Sequence, residues 1–113
     1  MSQQSFDGLG VSAPVVEALA RRSIVTPFPI QSRVIPDALA GLDVLAKSPT
    51  GSGKTLAFAV PIVERLDGSG ARPAALVLVP TRERAAQVAD DFVAVAGPRG
   101  LSVAAVFAGG CTP

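Results

Sequence analysis

The chain has 113 residues, 49% hydrophobic and 17% charged, with a net charge of +1. That composition is globular rather than disordered, and the length is enough for one small domain with its own core. The absence of histidine and the single cysteine, Cys111, exclude histidine catalysis, histidine-rich metal sites and an internal disulfide. Cys111 reads as a bystander thiol.

Ser12 is placed to cap a helix running to about Arg22, with Val11, Val15 and Leu19 spaced by four on one face. Thr26-Pro-Phe-Pro predicts a rigid, extended entry. Pro29 suits the first turn of a second helix, with Ile30, Val34 and Ala38 in one stripe and Ile35 and Leu39 beside it. Pro36 is expected to kink this helix and Gly41 to end it. Asp43-Val-Leu-Ala-Lys47 reads as a short strand, followed by a glycine-rich turn and a helix from about Lys54 to Leu66.

Gly68 to Pro73 reads as a loop, and Ala74 to Val79 as a strand covered on both faces. Thr81 is expected to cap a helix that buries Ala85, Val88, Ala89 and Phe92 and exposes Gln87, Asp90 and Asp91. Gly97-Pro98 breaks it. Leu101 to Ala108 reads as a third strand, ending in Gly109-Gly110. The order β-α-β-α-β implies parallel strands joined by right-handed crossovers, hence an α/β layered domain.

No apolar run approaches the roughly 18 residues that span a bilayer. Met1-Ser-Gln-Gln carries no basic stretch or apolar segment, so no secretory leader is expected and Met1 reads as a natural start. Any missing part is then expected at the C-terminal end, and the cytoplasm is the expected compartment. With net charge near zero, nucleic-acid contact must come from backbone amides and a few arginines.

Ser48-Pro-Thr-Gly-Ser-Gly-Lys-Thr55 lies between the first strand and a helix. Gly53, Lys54 and Thr55 match the phosphate-loop pattern G-x-x-x-x-G-K-[ST], with Ser48 where its first glycine stands. Gly51 and Gly53 let the backbone curl so that its N–H groups point at phosphate oxygens. The helix N-terminus adds partial positive charge. Lys54 supplies a point charge for the outer phosphates, and Thr55 a hydroxyl for Mg²⁺. The pattern indicates a nucleoside triphosphate without naming the reaction.

Thr26-Pro27-Phe28-Pro29-Ile30-Gln31, with Phe6 upstream, resembles the Q motif of DEAD-box RNA helicases. Ala46 to Thr55 resembles that family's motif I, Pro80-Thr81-Arg82-Glu83-Arg84-Ala85 its motif Ia, and Gly109-Gly110 its GG motif. The motifs fall in the family's order and cover essentially the whole chain. The resemblance implies a P-loop RecA-like fold, a three-layer α/β/α domain with a parallel sheet. Residues 1–113 would be the N-terminal, truncated portion of that domain, with the Q-motif region at 6–31.

The resemblance further implies ATP and Mg²⁺ as cofactors and single-stranded or locally duplex RNA as partner. Gln31 would read adenine with one side-chain amide that both donates and accepts. Phe6 would cover the base by stacking, or else anchor the N-terminus in the core. Thr50, Gly51, Ser52, Gly53, Lys54 and Thr55 would hold the phosphates, with Thr55 reaching the metal. Pro80, Thr81, Arg82, Gly109 and Gly110 would meet the RNA backbone, which positions a strand without reading its sequence. Arg82 and Glu83 also fit a solvated helix start. Phe28, Ser48 and Arg84 depart from the family's usual residues. Phe28 loses the hydroxyl of the usual Thr or Ser.

The family's D-E-A-D and S-A-T motifs do not occur in the 113 residues, nor do the second-lobe arginines that finish the ATP site. No catalytic residue is therefore assigned, and Lys54 assists by binding phosphate. The leading expectation is an ATP-dependent RNA helicase segment. The alternatives are a related DNA helicase, a non-catalytic adenine-nucleotide or RNA-binding module, and an unrelated phosphate-loop kinase.

Overall fold

The computed structural model describes residues 5–47, 53–70, 73–107 and 110–112. A 3-10 turn, Asp7–Leu9, leads into α1, Ala13–Arg21. The four-residue spacing of its apolar positions works as expected. Val11, Val15 and Leu19 are all buried, the last two completely. Ser12 occupies the N-cap position, but its hydroxyl does not cap. It donates instead to Glu64 Oε1 at 2.7 Å, while the Ser12 N–H donates to Glu64 Oε2 at 2.7 Å. One carboxylate on a distant helix thus takes both bonds.

α2 spans Pro29–Leu39 and keeps Pro36 inside it. Val34 and Ile35 are buried, and Ile30, Ala38 and Leu39 half-buried. Gly41 follows in the left-handed region at φ 87°, the conformation that ends a helix at little cost to glycine. α3, Lys54–Arg65, is apolar nearly all round. It buries Leu56, Ala57, Ala59, Val60, Pro61 and Val63, as a central helix must. It packs against α2 on one side and α4 on the other.

α4 spans Arg82–Ala96, and Thr81 caps it by accepting from the Arg84 N–H at 3.1 Å. It buries Val88, Phe92, Val95 and Ala96, with Ala85 and Ala89 half-buried and Gln87 and Asp90 exposed. Asp91 is half-buried rather than exposed, because Arg22 at the end of α1 donates to it at 3.0 Å. Phe58 of α3 and Phe92 of α4 meet with ring centres 5.9 Å apart. A 3-10 turn, Gly97–Arg99, closes the helical part.

The strands depart from expectation. Among the described residues, pairing is confined to β1, Ala105–Phe107, and β2, Gly110–Thr112, which run antiparallel with Val106 opposite Cys111. Residues 43–47 and 74–79 form no strand, and no parallel sheet joins them among the described residues. The reason is placement. Residues 42–46 border a groove between α2 and α3, whereas 73–81 and 100–106 border a second groove, along α3 and α4. The second groove's segments still alternate: Val77, Val79, Leu101, Val103 and Ala105 are half-buried, while their neighbours at 76, 78, 102, 104 and 106 are exposed. Period-two burial is the signature of extended chain with one face on a core.

Candidate nucleotide-binding site

The site is built where the N-termini of α2 and α3 meet. Pro27 and Pro29 hold the backbone extended on both sides of Phe28, which occupies the N-cap position of α2 with φ −68° and ψ 158°. A phenyl ring accepts no hydrogen bond, so the usual N-cap bond from the helix is absent. The reverse bond is made: the Phe28 N–H donates to Gln31 Oε1 at 2.9 Å. Gln31 lies three residues on, at the position from which such a side chain reaches back.

The other end of the same amide crosses to α3. Gln31 Nε2 donates to the Gly53 carbonyl at 3.1 Å. Gly53 is the N-cap of α3, in the left-handed region at φ 80° and ψ 26°. A Cβ there would collide with the Gln31 amide nitrogen and lie 2.7 Å from Phe28 Cδ2. Glycine is therefore required at 53 twice over, by its backbone angle and by the two side chains against it. Gln31 is 1% exposed, and each polar atom of its amide has a partner. Among the described residues, two of the amide's four hydrogen-bonding capacities are used.

Lys54 and Thr55 form the first turn of α3, with Lys54 exposed and Thr55 half-buried. The N–H groups that open a helix and the helix dipole favour an anion at such a position. Among the described residues no group of three His, Cys, Asp or Glu side chains is placed to hold a metal. Thr55 therefore fits Mg²⁺ as a single oxygen beside phosphate and water ligands, which suits an ion that keeps most of its waters.

Ser48, Thr50, Gly51 and Ser52, expected to form the body of the phosphate loop, lie outside the described residues, as does Gly109. Phe6 is 1% exposed and sits in the main core with Leu9, Val11, Val15 and Ile35. That placement fits the anchor role. The ring is covered on its faces by that core in this arrangement. Pro80, Thr81 and Arg82 are exposed and line the α3–α4 groove together with Val106 of β1. Gly110 opens β2 rather than ending the third strand. The fold thus gathers Gln31, Gly53, Lys54 and Thr55 at one helix junction and the Pro80–Arg82 segment along the second groove.

Sequence reasoning missed the bond between Gln31 and Gly53. The two are 22 positions apart, and no local periodicity marks them as neighbours. It also missed that Phe28 lies against Gly53.

Gln31 thus ties a glycine-capped helix that opens with Lys54-Thr55 to the N-terminus of a neighbouring helix. The DEAD/DEAH box helicase family model matches residues 28–112, and the chain belongs to that family. It is 44% identical over 108 residues to the ATP-dependent RNA helicase DeaD of Escherichia coli K12, covering 95% of this chain and 17% of that protein. It superposes with a TM-score of 0.77 on the RNA helicase Prp28 of Chaetomium thermophilum bound to ADP, at 33% identity, covering 91% of this chain and 26% of that one. Dbp5 of Saccharomyces cerevisiae bound to RNA and ADP BeF3 gives a TM-score of 0.77 at 30% identity, covering 83% of this chain and 25% of that one. The chain spans about a sixth of the length of DeaD.

Proposed function

We propose that this chain is the nucleotide-gripping part of an ATP-dependent RNA helicase. The observation that carries the reading is the Gln31 amide bridging the Phe28 N–H and the Gly53 carbonyl. It joins the segment expected to meet adenine to the residue that opens the phosphate-binding helix. A side-chain amide both donates and accepts, the pair of complementary groups that the edge of adenine needs. Lys54 and the first N–H groups of α3 take the outer phosphates, with Thr50, Gly51, Ser52 and Gly53 completing the loop. Thr55 contributes an oxygen to Mg²⁺, which when bound neutralises phosphate charge. Phe6 acts from the core as an anchor for the segment that precedes α2.

Pro80, Thr81, Arg82, Gly109 and Gly110 face the RNA backbone in this reading. Thr81 uses a lone pair of its hydroxyl to cap α4 and retains its O–H to donate to a phosphate oxygen. Within the full domain, residues 43–47, 74–79 and 101–108 serve as strands of a parallel sheet between helical layers. Hydrolysis depends on acidic and arginine groups supplied from outside these 113 residues, and the protein works in the cytoplasm. The reading is supported by DeaD, an ATP-dependent RNA helicase, and by Dbp5, solved with RNA and ADP BeF3.

The test is nucleotide affinity in the full-length protein. Wild type should prefer ATP to GTP, and Gln31→Ala should erase that preference, by about tenfold for each 1.4 kcal/mol of recognition lost. Equal binding of ATP and GTP by wild type, or an unchanged preference in the variant, would count against the reading. Addition of single-stranded RNA should raise the rate of ATP hydrolysis.

A further inference from the structure

Phe28 stands where the Q motif usually has a hydroxyl residue, and its ring has a definite location. It is 51% exposed. The other phenylalanines whose burial is described, Phe6, Phe58 and Phe92, are buried or half-buried. Exposure alone says little about an apolar residue. Position says more. Phe28 Cδ2 lies 2.7 Å from where a Cβ of Gly53 would be, so the ring abuts the last glycine before Lys54. The same residue gives its N–H to Gln31. One exposed aromatic surface thus borders both the amide expected to meet the base and the helix start expected to meet the phosphates.

The backbone supports display of the ring. Pro27 and Pro29 fix φ on both sides, so little chain entropy remains to be lost when something docks on it. Placing Phe at an N-cap also forgoes the roughly 1 kcal/mol that Ser or Thr contributes there. The ring's neighbours give it a use that offsets this. Phe6, the other aromatic in the region, is sealed in the core.

We propose that Phe28 supplies the aromatic face on which the purine of the bound nucleotide stacks, a role that rests on the nucleotide-binding reading above. Base–aromatic stacking contributes about 1–3 kcal/mol per base and tolerates any purine. Phe28 therefore adds affinity, and Gln31 adds the choice of adenine.

The experiment is calorimetric titration of the full-length protein with ADP and, separately, with inorganic tripolyphosphate, for wild type, Phe28→Leu and Phe28→Tyr. Phe28→Leu should weaken ADP by about fivefold or more while tripolyphosphate binds as in wild type, and Phe28→Tyr should restore ADP. Thermal melts without nucleotide establish that the variants remain folded. If wild type binds ADP and Phe28→Leu binds it equally well, the stacking role is wrong and the nucleotide reading stands. If ADP and tripolyphosphate weaken in parallel, the ring shapes the phosphate loop rather than holding the base, and the proposal is overturned. If wild type binds no ADP, the nucleotide reading fails and takes the stacking role with it.

Discussion

Gln31 is the one buried polar side chain among the described residues. A polar group so placed must be hydrogen-bonded, because an unmet donor or acceptor costs about 1–3 kcal/mol. Both of its atoms are met by backbone groups on different helices. The amide therefore does structural work whether or not a base is bound, and that work sets the register between α2 and the start of α3. Ser23 is a second residue whose conformation carries a cost. It sits at φ 64°, the single non-glycine described in the left-handed region. It follows α1, and its N–H and that of Ile24 close back on Ala20 and Leu19. Such a conformation costs a side-chain-bearing residue on the order of 1–2 kcal/mol. Ser23→Gly should stabilise the full-length protein by up to about 1 kcal/mol, the glycine's greater unfolded-state freedom offsetting part of the gain. The urea midpoint should rise accordingly, and a midpoint that falls would show that the hydroxyl matters more than the strain.

At the scale of elements, the C-terminus of α3 is held by one side chain from a distant turn. Arg99 Nε donates to the Val63 carbonyl at 2.8 Å, and its Nη2 to the Glu64 and Leu66 carbonyls at 3.3 and 3.0 Å. Its Nη1 lies 3.5 Å from Glu64 Oε1, on a side chain only 7% exposed. Glu64 in turn holds the N-terminus of α1 through Ser12. The chain Arg99–Glu64–Ser12 thus joins three elements and satisfies carbonyls that a helix end leaves open. Arg99→Met should cost about 2–3 kcal/mol, since three carbonyls lose their donor and a nearly buried carboxylate loses its cation, keeping only Ser12. Arg99→Lys should recover little, because a single ammonium cannot reproduce a planar fork of donors. Denaturation midpoints of the two variants measure this. By contrast, the exposed Arg22–Asp91 pair between α1 and α4 is worth at most about 1 kcal/mol.

Across the whole molecule, four helices share one core while the extended segments leave apolar side chains in water. Leu45, Leu76 and Leu78 are 103, 77 and 84% exposed. Even so, the radius of gyration is 13.9 Å, against about 13 Å expected for a compact domain of this length. The helices therefore carry the compactness, and the open faces of 43–47 and 74–79 are its weak point. A purified chain of these 113 residues should bind a hydrophobic dye, associate as its concentration rises, and lack a sharp thermal transition. Charged residues at Leu76 and Leu78 should lower that association. A cooperative, concentration-independent transition in the unmodified chain would overturn this expectation.

The helices were legible in the sequence because their information is local. Val11, Val15 and Leu19 recur at helical spacing, Thr81 precedes a run that needs a cap, and Gly41 stands where a left-handed residue ends a turn. The candidate nucleotide site was legible only as a set of residue types, since Gly53-Lys54-Thr55 and Gln31 carry their chemistry in their side chains and backbone freedom. Strand pairing was not legible. Residues 43–47 and 74–79 have the apolar character of strands, but a ladder depends on which segment lies alongside, and their own composition does not say. Ser12 shows the same limit: its type predicts a cap, and a carboxylate 52 positions away takes the hydroxyl instead.

What the sequence by itself determined was therefore the helices and the family resemblance, both written in residue type and short spacing. Only the tertiary structure decided that Phe6 is sealed in the core and that Phe28 abuts Gly53. It alone joined Gln31 to the start of α3 and left residues 43–47 and 74–79 without strand pairing among the described residues. Each of these depends on through-space distances between residues far apart in the chain, which packing sets and local pattern does not encode.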